Sequence, residues 1–217
     1  MRYLVAVYWA EGASDGRILI PIVERALEAW LLARARGPFD LLLQALSPLP
    51  EARTFVERVA SLVQQSQGWV HVLFIHTDGG AGTTRRARRE RIEPALQAAQ
   101  ALVPGWRTIV PVVPVRESEA WLLVDESAIR AAIGVPHGGA GLELPARARD
   151  VEHVLDPKRA FERAVRRVLR GPRALREWRA VQQGVAVRVP LNELRTVPAY
   201  REFEAELDGT LRRIPWL

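Results

Sequence analysis

The sequence predicts an α/β domain in which a mainly parallel sheet is flanked by helices, with a helical cap at the C-terminal end. Three features carry this expectation. Apolar runs of buried-strand type alternate with segments whose apolar residues recur at helical spacing. The connections are short, as right-handed crossovers allow. Three of the apolar runs end on acidic residues, two of them followed by glycine, where an open parallel sheet places its ligands.

Tyr3 to Trp9 is the first strand, and it runs into Glu11-Gly12. A helix follows with Leu19, Ile22, Val23, Ala26, Leu27, Trp30 and Leu31 on one face; Ser14 or Asp15 is placed to cap it, and Arg36-Gly37-Pro38 stops it. Phe39 to Pro50 is apolar but broken by Pro48 and Pro50, so it predicts only a short strand. A helix is expected from about Glu51 to Gln67, with Phe55, Val56, Val59, Leu62 and Val63 inward. The run from Trp69 to Ile75 is the central strand, ending in His76-Thr77-Asp78-Gly79-Gly80.

After the glycine-rich loop 79–84, the cluster Arg85-Arg86-Ala87-Arg88-Arg89 opens a helix that reaches about Leu102. Thr108 to Val115 reads as a strand, and its prolines Pro111 and Pro114 make it an edge strand or an interrupted one. It ends on Arg116-Glu117-Ser118-Glu119, and Ala120-Trp121-Leu122-Leu123 begins another helix. Gly134 to Gly141, with Pro136 and His137, reads as a loop. From Pro157 the pattern is helical, with stripes Phe161, Ala164, Val165, Val168, Leu169 and then Tyr200, Phe203, Leu207, Leu211. The expected organisation is an α/β core over 1–133 and a helical extension over 134–217 packed on it.

The chain has 217 residues, 48% of them hydrophobic, enough for one domain with a substantial core. No apolar run reaches the roughly 18 to 20 residues of a membrane span, and no secretory leader is evident at the start. Without cysteine there are neither disulfides nor thiolate metal sites, and a cytoplasmic location is expected. The net charge of +6 favours an anionic partner, although Lys158 is the only lysine and a genome rich in arginine codons gives the same balance. No Gly-x-Ser-x-Gly elbow and no P-loop occur.

The chemical expectation is that Glu11, Asp78, Glu117 and Glu119 meet at one edge of the sheet. Carboxylates beside a basic loop suit Mg2+ or Mn2+, phosphate oxygens and an activated water. An acid at the end of an apolar strand is costly unless it is used, which favours Asp78. Glu11 has the plainer reading of a solvated turn residue, and Glu117 and Glu119 that of first-turn acids favoured by the helix dipole.

Glu11-Gly12, the acid-glycine pair after the central strand, and Glu117-Ser118-Glu119-Ala120-Trp121-Leu122-Leu123-Val124-Asp125 together resemble a bacterial Toprim-like family, domain of unknown function 4276. Asp156-Pro157-Lys158 and Leu194 to Tyr200 extend the resemblance over most of the chain. It implies a Toprim-like, and so Rossmann-like, sheet, similar to that of overcoming-lysogenization-defect nucleases, with a glutamate and an Asp-x-Asp pair holding magnesium. It also implies an AAA- or ABC-type ATPase partner in a phage-defence or DNA-processing setting. Residue by residue, Glu11 matches the Toprim glutamate, Asp78 the second acid of Asp-x-Asp, and Glu119 the later acid. His76 stands where the first acid belongs, and imidazole suits manganese or zinc better than magnesium.

The leading expectation is therefore a metal-dependent nuclease. Glu11, Asp78, Glu119 and His76 do the chemistry, Glu117 joins Glu11, Asp78 and Glu119 on the metal, and Arg85, Arg86, Arg88 and Arg89 draw in the backbone of DNA or RNA. A non-catalytic docking partner of the ATPase, or a metal-dependent phosphatase of small substrates, are the alternatives. A homodimer is compatible with any of these.

Overall fold

The computed structural model describes residues 2–12, 14–81, 83–135, 141–169 and 178–215. Four strands form one all-parallel sheet: β1 Arg2–Ala10, β2 Phe39–Ala45, β3 Val72–His76 and β4 Ile109–Val112, in the order β2-β1-β3-β4. β1 is the longest strand and pairs on both sides, Leu4 with Leu41 and Ala10 with His76. Pro111 is accommodated because β4 lies at the sheet edge.

Side chains alternate across the sheet, so each strand feeds two cores. Leu4, Ala6 and Tyr8 of β1 join Val72 and Phe74 of β3 on one face, while Val7, Trp9, Leu73 and Ile75 lie on the other. Helix α1 (Asp15–Arg34) covers the first face, and α2 (Phe55–Ser66) with α4 (Glu93–Leu102) covers the second. Between β3 and α4 lie the short α3 (Thr84–Ala87) and a π-helical turn, Arg88–Ile92. The chain thus winds outward from β1 in both directions. The crevice beyond the carboxyl ends of β1 and β3 is the point where the strand order reverses, the usual ligand position in such sheets.

Helix α2 starts later than its apolar pattern suggests, at Phe55 instead of Glu51. The start is fixed by a reciprocal cap. Glu57 N donates to Thr54 Oγ1 at 3.2 Å, and Thr54 N donates to Glu57 Oε2 at 2.9 Å.

After β4 the segment Ser118–Val124 is a 3-10 turn leading into α5 (Glu126–Ile133), where the sequence predicts one helix. Asp125 caps α5 by accepting from Ser127 N and Ala128 N. A second 3-10 turn, Ala148–His153, precedes α6 (Pro157–Val168), α7 (Trp178–Ala186), α8 (Leu191–Leu194) and α9 (Pro198–Leu211). Pro136 and His137 of the expected loop lie outside the described residues.

The C-terminal helices share one core with α1 and the first sheet face, from Leu4 through Trp121 and Phe161 to Leu211. Trp121 is fully buried, stacked edge-on against Tyr200 at 5.2 Å and lying 6.2 Å from Phe203. Polar side chains add long-range ties. Arg25 Nη1 donates to Ala186 O at 3.1 Å and Val189 O at 2.8 Å, and Trp30 Nε1 donates to Asp208 Oδ1 at 2.8 Å. Among the described residues no helix is long and apolar enough to cross a membrane.

Candidate functional site

Beyond β3 the chain is held against the segment that leaves β4. Gly79 N donates to Pro114 O at 2.8 Å and Arg116 N to Gly80 O at 3.0 Å. A Cβ on Gly79 would stand 2.9 Å from Pro114 O, so only glycine allows this approach. Arg116 has φ of 67° and sits at the centre of a three-residue turn closed by Glu117 N donating to Val115 O at 3.0 Å. Such a conformation costs a non-glycine residue about 1–3 kcal/mol and persists where the surroundings enforce it. The strained turn is what delivers Glu117-Ser118-Glu119 to the crevice.

His76 is the centre of the site. It is buried at the end of β3, with Nε2 3.4 Å from Asp78 Oδ1 and Nδ1 4.0 Å from Asp15 Oδ2. Neither ring nitrogen has a hydrogen-bond partner among the described residues. The Tyr8 hydroxyl is likewise buried and without a hydrogen-bond partner among the described residues. Burial pushes its proton affinity well above the usual phenol value, and the Asp15 and Asp78 carboxylates push it further, so the hydroxyl stays protonated.

Asp15 belongs to this cluster, although its sequence position suggests a helix cap. Ser14 occupies the cap position without a side-chain hydrogen bond, and the Asp15 carboxylate turns instead to Ser118, whose Oγ donates to Oδ1 at 2.8 Å. Gly12 makes room for it, since a Cβ there would fall 2.2 Å from Asp15 Oδ2. Gly12→Ala is expected to leave thermal unfolding nearly unchanged, because the obstructing atom is the end of a movable side chain. It should displace Asp15 and weaken the divalent-cation binding proposed below at least tenfold, as outer-shell changes do. Calorimetric titration of the variant checks this.

The four acids expected to converge separate into different environments. Glu11 accepts from Thr77 Oγ1 at 3.3 Å and forms a close ion pair with Arg91, whose guanidinium stacks over Phe55 at 4.6 Å. Thr77 follows His76 and faces the other side of the sheet, so Glu11 is drawn toward the α2 face. Glu117 Oε2 accepts from Lys158 N at 3.0 Å in the first turn of α6. Asp78 remains half-exposed beside His76.

Glu119 is buried, accepts from Gln182 Nε2 at 3.0 Å through Oε1, and has Oε2 3.4 Å from Ser118 Oγ. Burial raises its proton affinity, and the Glu117 and Asp15 carboxylates add to the shift. A carboxyl raised in the folded state contributes stability that is fully present below its ordinary value of 4.5 and is lost as pH rises through the folded-state value. Ionised Glu119 therefore opposes folding at neutral pH. In metal-free protein Glu119→Gln should unfold at a higher temperature than wild type at neutral pH, and the gap should close as pH falls below 4.5. Thermal unfolding across pH in EDTA measures it.

The arginines divide as well. Arg88 turns inward, with Nη1 2.9 Å from Glu206 Oε1 and Nε 3.3 Å from Glu202 Oε2 on α9, and Thr84 Oγ1 donates to Glu202 at 2.7 Å. Arg85, Arg86 and Arg89 stay exposed; Arg86 and Arg89 share Glu90, at 2.9 Å and 3.6 Å.

Tyr8, Asp15, Ser118 and Gln182 were the site residues hidden from sequence reasoning. The available signal for Asp15 was Gly12-x-x-Asp15 directly after a strand, a glycine placed to let an acid fold back. Among the described residues no three His, Cys, Asp or Glu side chains stand together in metal-ligand geometry. The donor set nevertheless fits a hard cation of the magnesium type, which commonly takes one or two carboxylates and completes its shell with water and substrate phosphate. Asp15 and Asp78 are the two carboxylates that lie beside His76. Comparison with known proteins gives no matching family model, no matching curated protein and no matching solved structure.

Proposed function

We propose that the protein is a divalent-metal-dependent phosphodiester hydrolase, a nuclease, working at the crevice between β1 and β3. One observation carries the reading: buried His76, with both ring nitrogens unpartnered among the described residues, stands between the Asp15 and Asp78 carboxylates at the reversal point of a parallel sheet. A buried imidazole without partners is expensive unless a ligand completes it.

In this reading Asp15 and Asp78 would hold Mg2+ or Mn2+, which would supply charge neutralisation at phosphate oxygens and water activation. Ser118 fixes the orientation of Asp15. His76 accepts a proton at one ring nitrogen and donates at the other, and the protonated Tyr8 hydroxyl adds a donor. Glu119, hydrogen-bonded by Gln182 and raised in proton affinity, holds the Ser118 region in place and is not a ligand. Glu11 ties Arg91 to the β1 end.

Exposed Arg85, Arg86 and Arg89 give the approach path for a phosphate backbone. Arg86 and Arg89 pair with Glu90 in surface contacts that exchange readily for phosphate. The test is cleavage of labelled single- and double-stranded DNA and RNA with Mg2+ or Mn2+. Cation-dependent cleavage of at least one substrate is expected, and none with any substrate or ion would contradict the assignment.

A further inference from the structure

A cavity of about 520 Å3 opens at the carboxyl ends of β1 and β2, next to the His76 cluster and sharing Tyr8 with it. One wall is the turn Ala10-Glu11-Gly12, whose Gly12 touches the Asp15 carboxylate on its other side. The facing wall is the loop after β2, pinned where Leu46 N donates to Tyr8 O at 3.0 Å and Leu49 N to Ser61 Oγ at 3.0 Å. Pro48 and Pro50 in that loop have no N–H to satisfy, and with Ile20 they supply apolar lining beside the polar side chains.

Arg58 donates through Nε to Ala52 O at 3.3 Å, and its terminal amino groups have no partner among the described residues. Glu11 accepts from Thr77 and Arg91, which leaves lone pairs of its carboxylate for a further donor. The lining therefore combines apolar surface with a donor in Arg58 and an acceptor in Glu11, at a volume usual for small-ligand sites. A nucleobase presents the matching surface: two flat faces, and a rim carrying both acceptors and donors.

We propose that this cavity seats the nucleobase next to the phosphate that lies at Asp15 and Asp78. The proposal rests on the phosphodiesterase reading for the neighbouring phosphate, and makes the protein a reader of the base beside the bond it cuts. Aliphatic ligands of the same size would leave Arg58 and Glu11 unused.

The test is calorimetric titration of the full chain, in EDTA, with AMP, GMP, CMP, UMP and ribose 5-phosphate. At least one nucleotide should bind about tenfold or more tightly than ribose 5-phosphate, the scale of a base contact. Ser47→Trp, which fills the cavity from its rim, should abolish that preference, and Arg58→Gln should reduce it without altering thermal unfolding. Equal binding of nucleotides and ribose 5-phosphate overturns the proposal, as does a preference that survives both substitutions. A nucleotide preference in a protein that neither binds cations nor cleaves nucleic acid would leave the base site standing and remove the hydrolase reading.

Discussion

Asp15→Asn and Asp78→Asn should each lower phosphodiester cleavage by more than about 100-fold, since changing residues merely behind a metal ligand already costs 10- to 100-fold. The substitution keeps the shape of each side chain and removes its charge. Asp15 retains its hydrogen bond from Ser118 through the amide oxygen, and Asp78 is half-exposed, so folding should be little affected. The two carboxylates flank His76 on opposite ring nitrogens, 4.0 Å and 3.4 Å away, so either loss leaves an incomplete donor pair. Single-turnover cleavage assays at saturating Mg2+ measure the effect. Cleavage within threefold of wild type in either variant would remove that residue from the site.

Trp121→Ala should be the most destabilising single change, at about 3–5 kcal/mol, the range for truncating a large buried aromatic. The ring is fully buried between the 3-10 turn and α9, in edge contact with Tyr200 and near Phe203. Loss of that anchor loosens the C-terminal helices from the sheet, against a total stability of about 5–15 kcal/mol typical of single domains. Trp121 Nε1 is buried without a hydrogen-bond partner among the described residues, so Trp121→Phe should cost clearly less than Trp121→Ala: it leaves a smaller void and removes an unsatisfied donor. Denaturant unfolding of both variants gives the comparison, and equal losses would show that the hydrophobic contact is not what matters there.

Local chemistry made the sheet legible in the sequence. β1 and β3 are apolar runs that end on Glu11 and on Asp78, and Pro111 and Pro114 mark β4 as an edge or interrupted strand, of which the structure shows the edge. The start of α2 was misplaced because the apolar pattern is blind to the Thr54–Glu57 cap that sets it. Side-chain partners were much less legible. Asp15 is a first-turn acid by position, and only Ser118, 103 residues away, turns it into the site. Arg88 looks like its exposed neighbours until Glu206, 118 residues on, draws it inward. Glu11 was assigned to the acid cluster by strand position, whereas Arg91 and Thr77 hold it toward the other face. Strand-end position identifies which residues reach the crevice, and long-range pairing decides which of them remain available to a ligand.

The central claim is that Asp15 and Asp78, with His76 between them, form the cation site. Calorimetric Mg2+ and Mn2+ titration of wild type, Asp15→Asn, Asp78→Asn and Glu11→Gln tests it most directly. Binding by wild type and Glu11→Gln, lost in both Asn variants, is the predicted result. Binding that survives in both Asn variants, or that disappears only with Glu11→Gln, would contradict it.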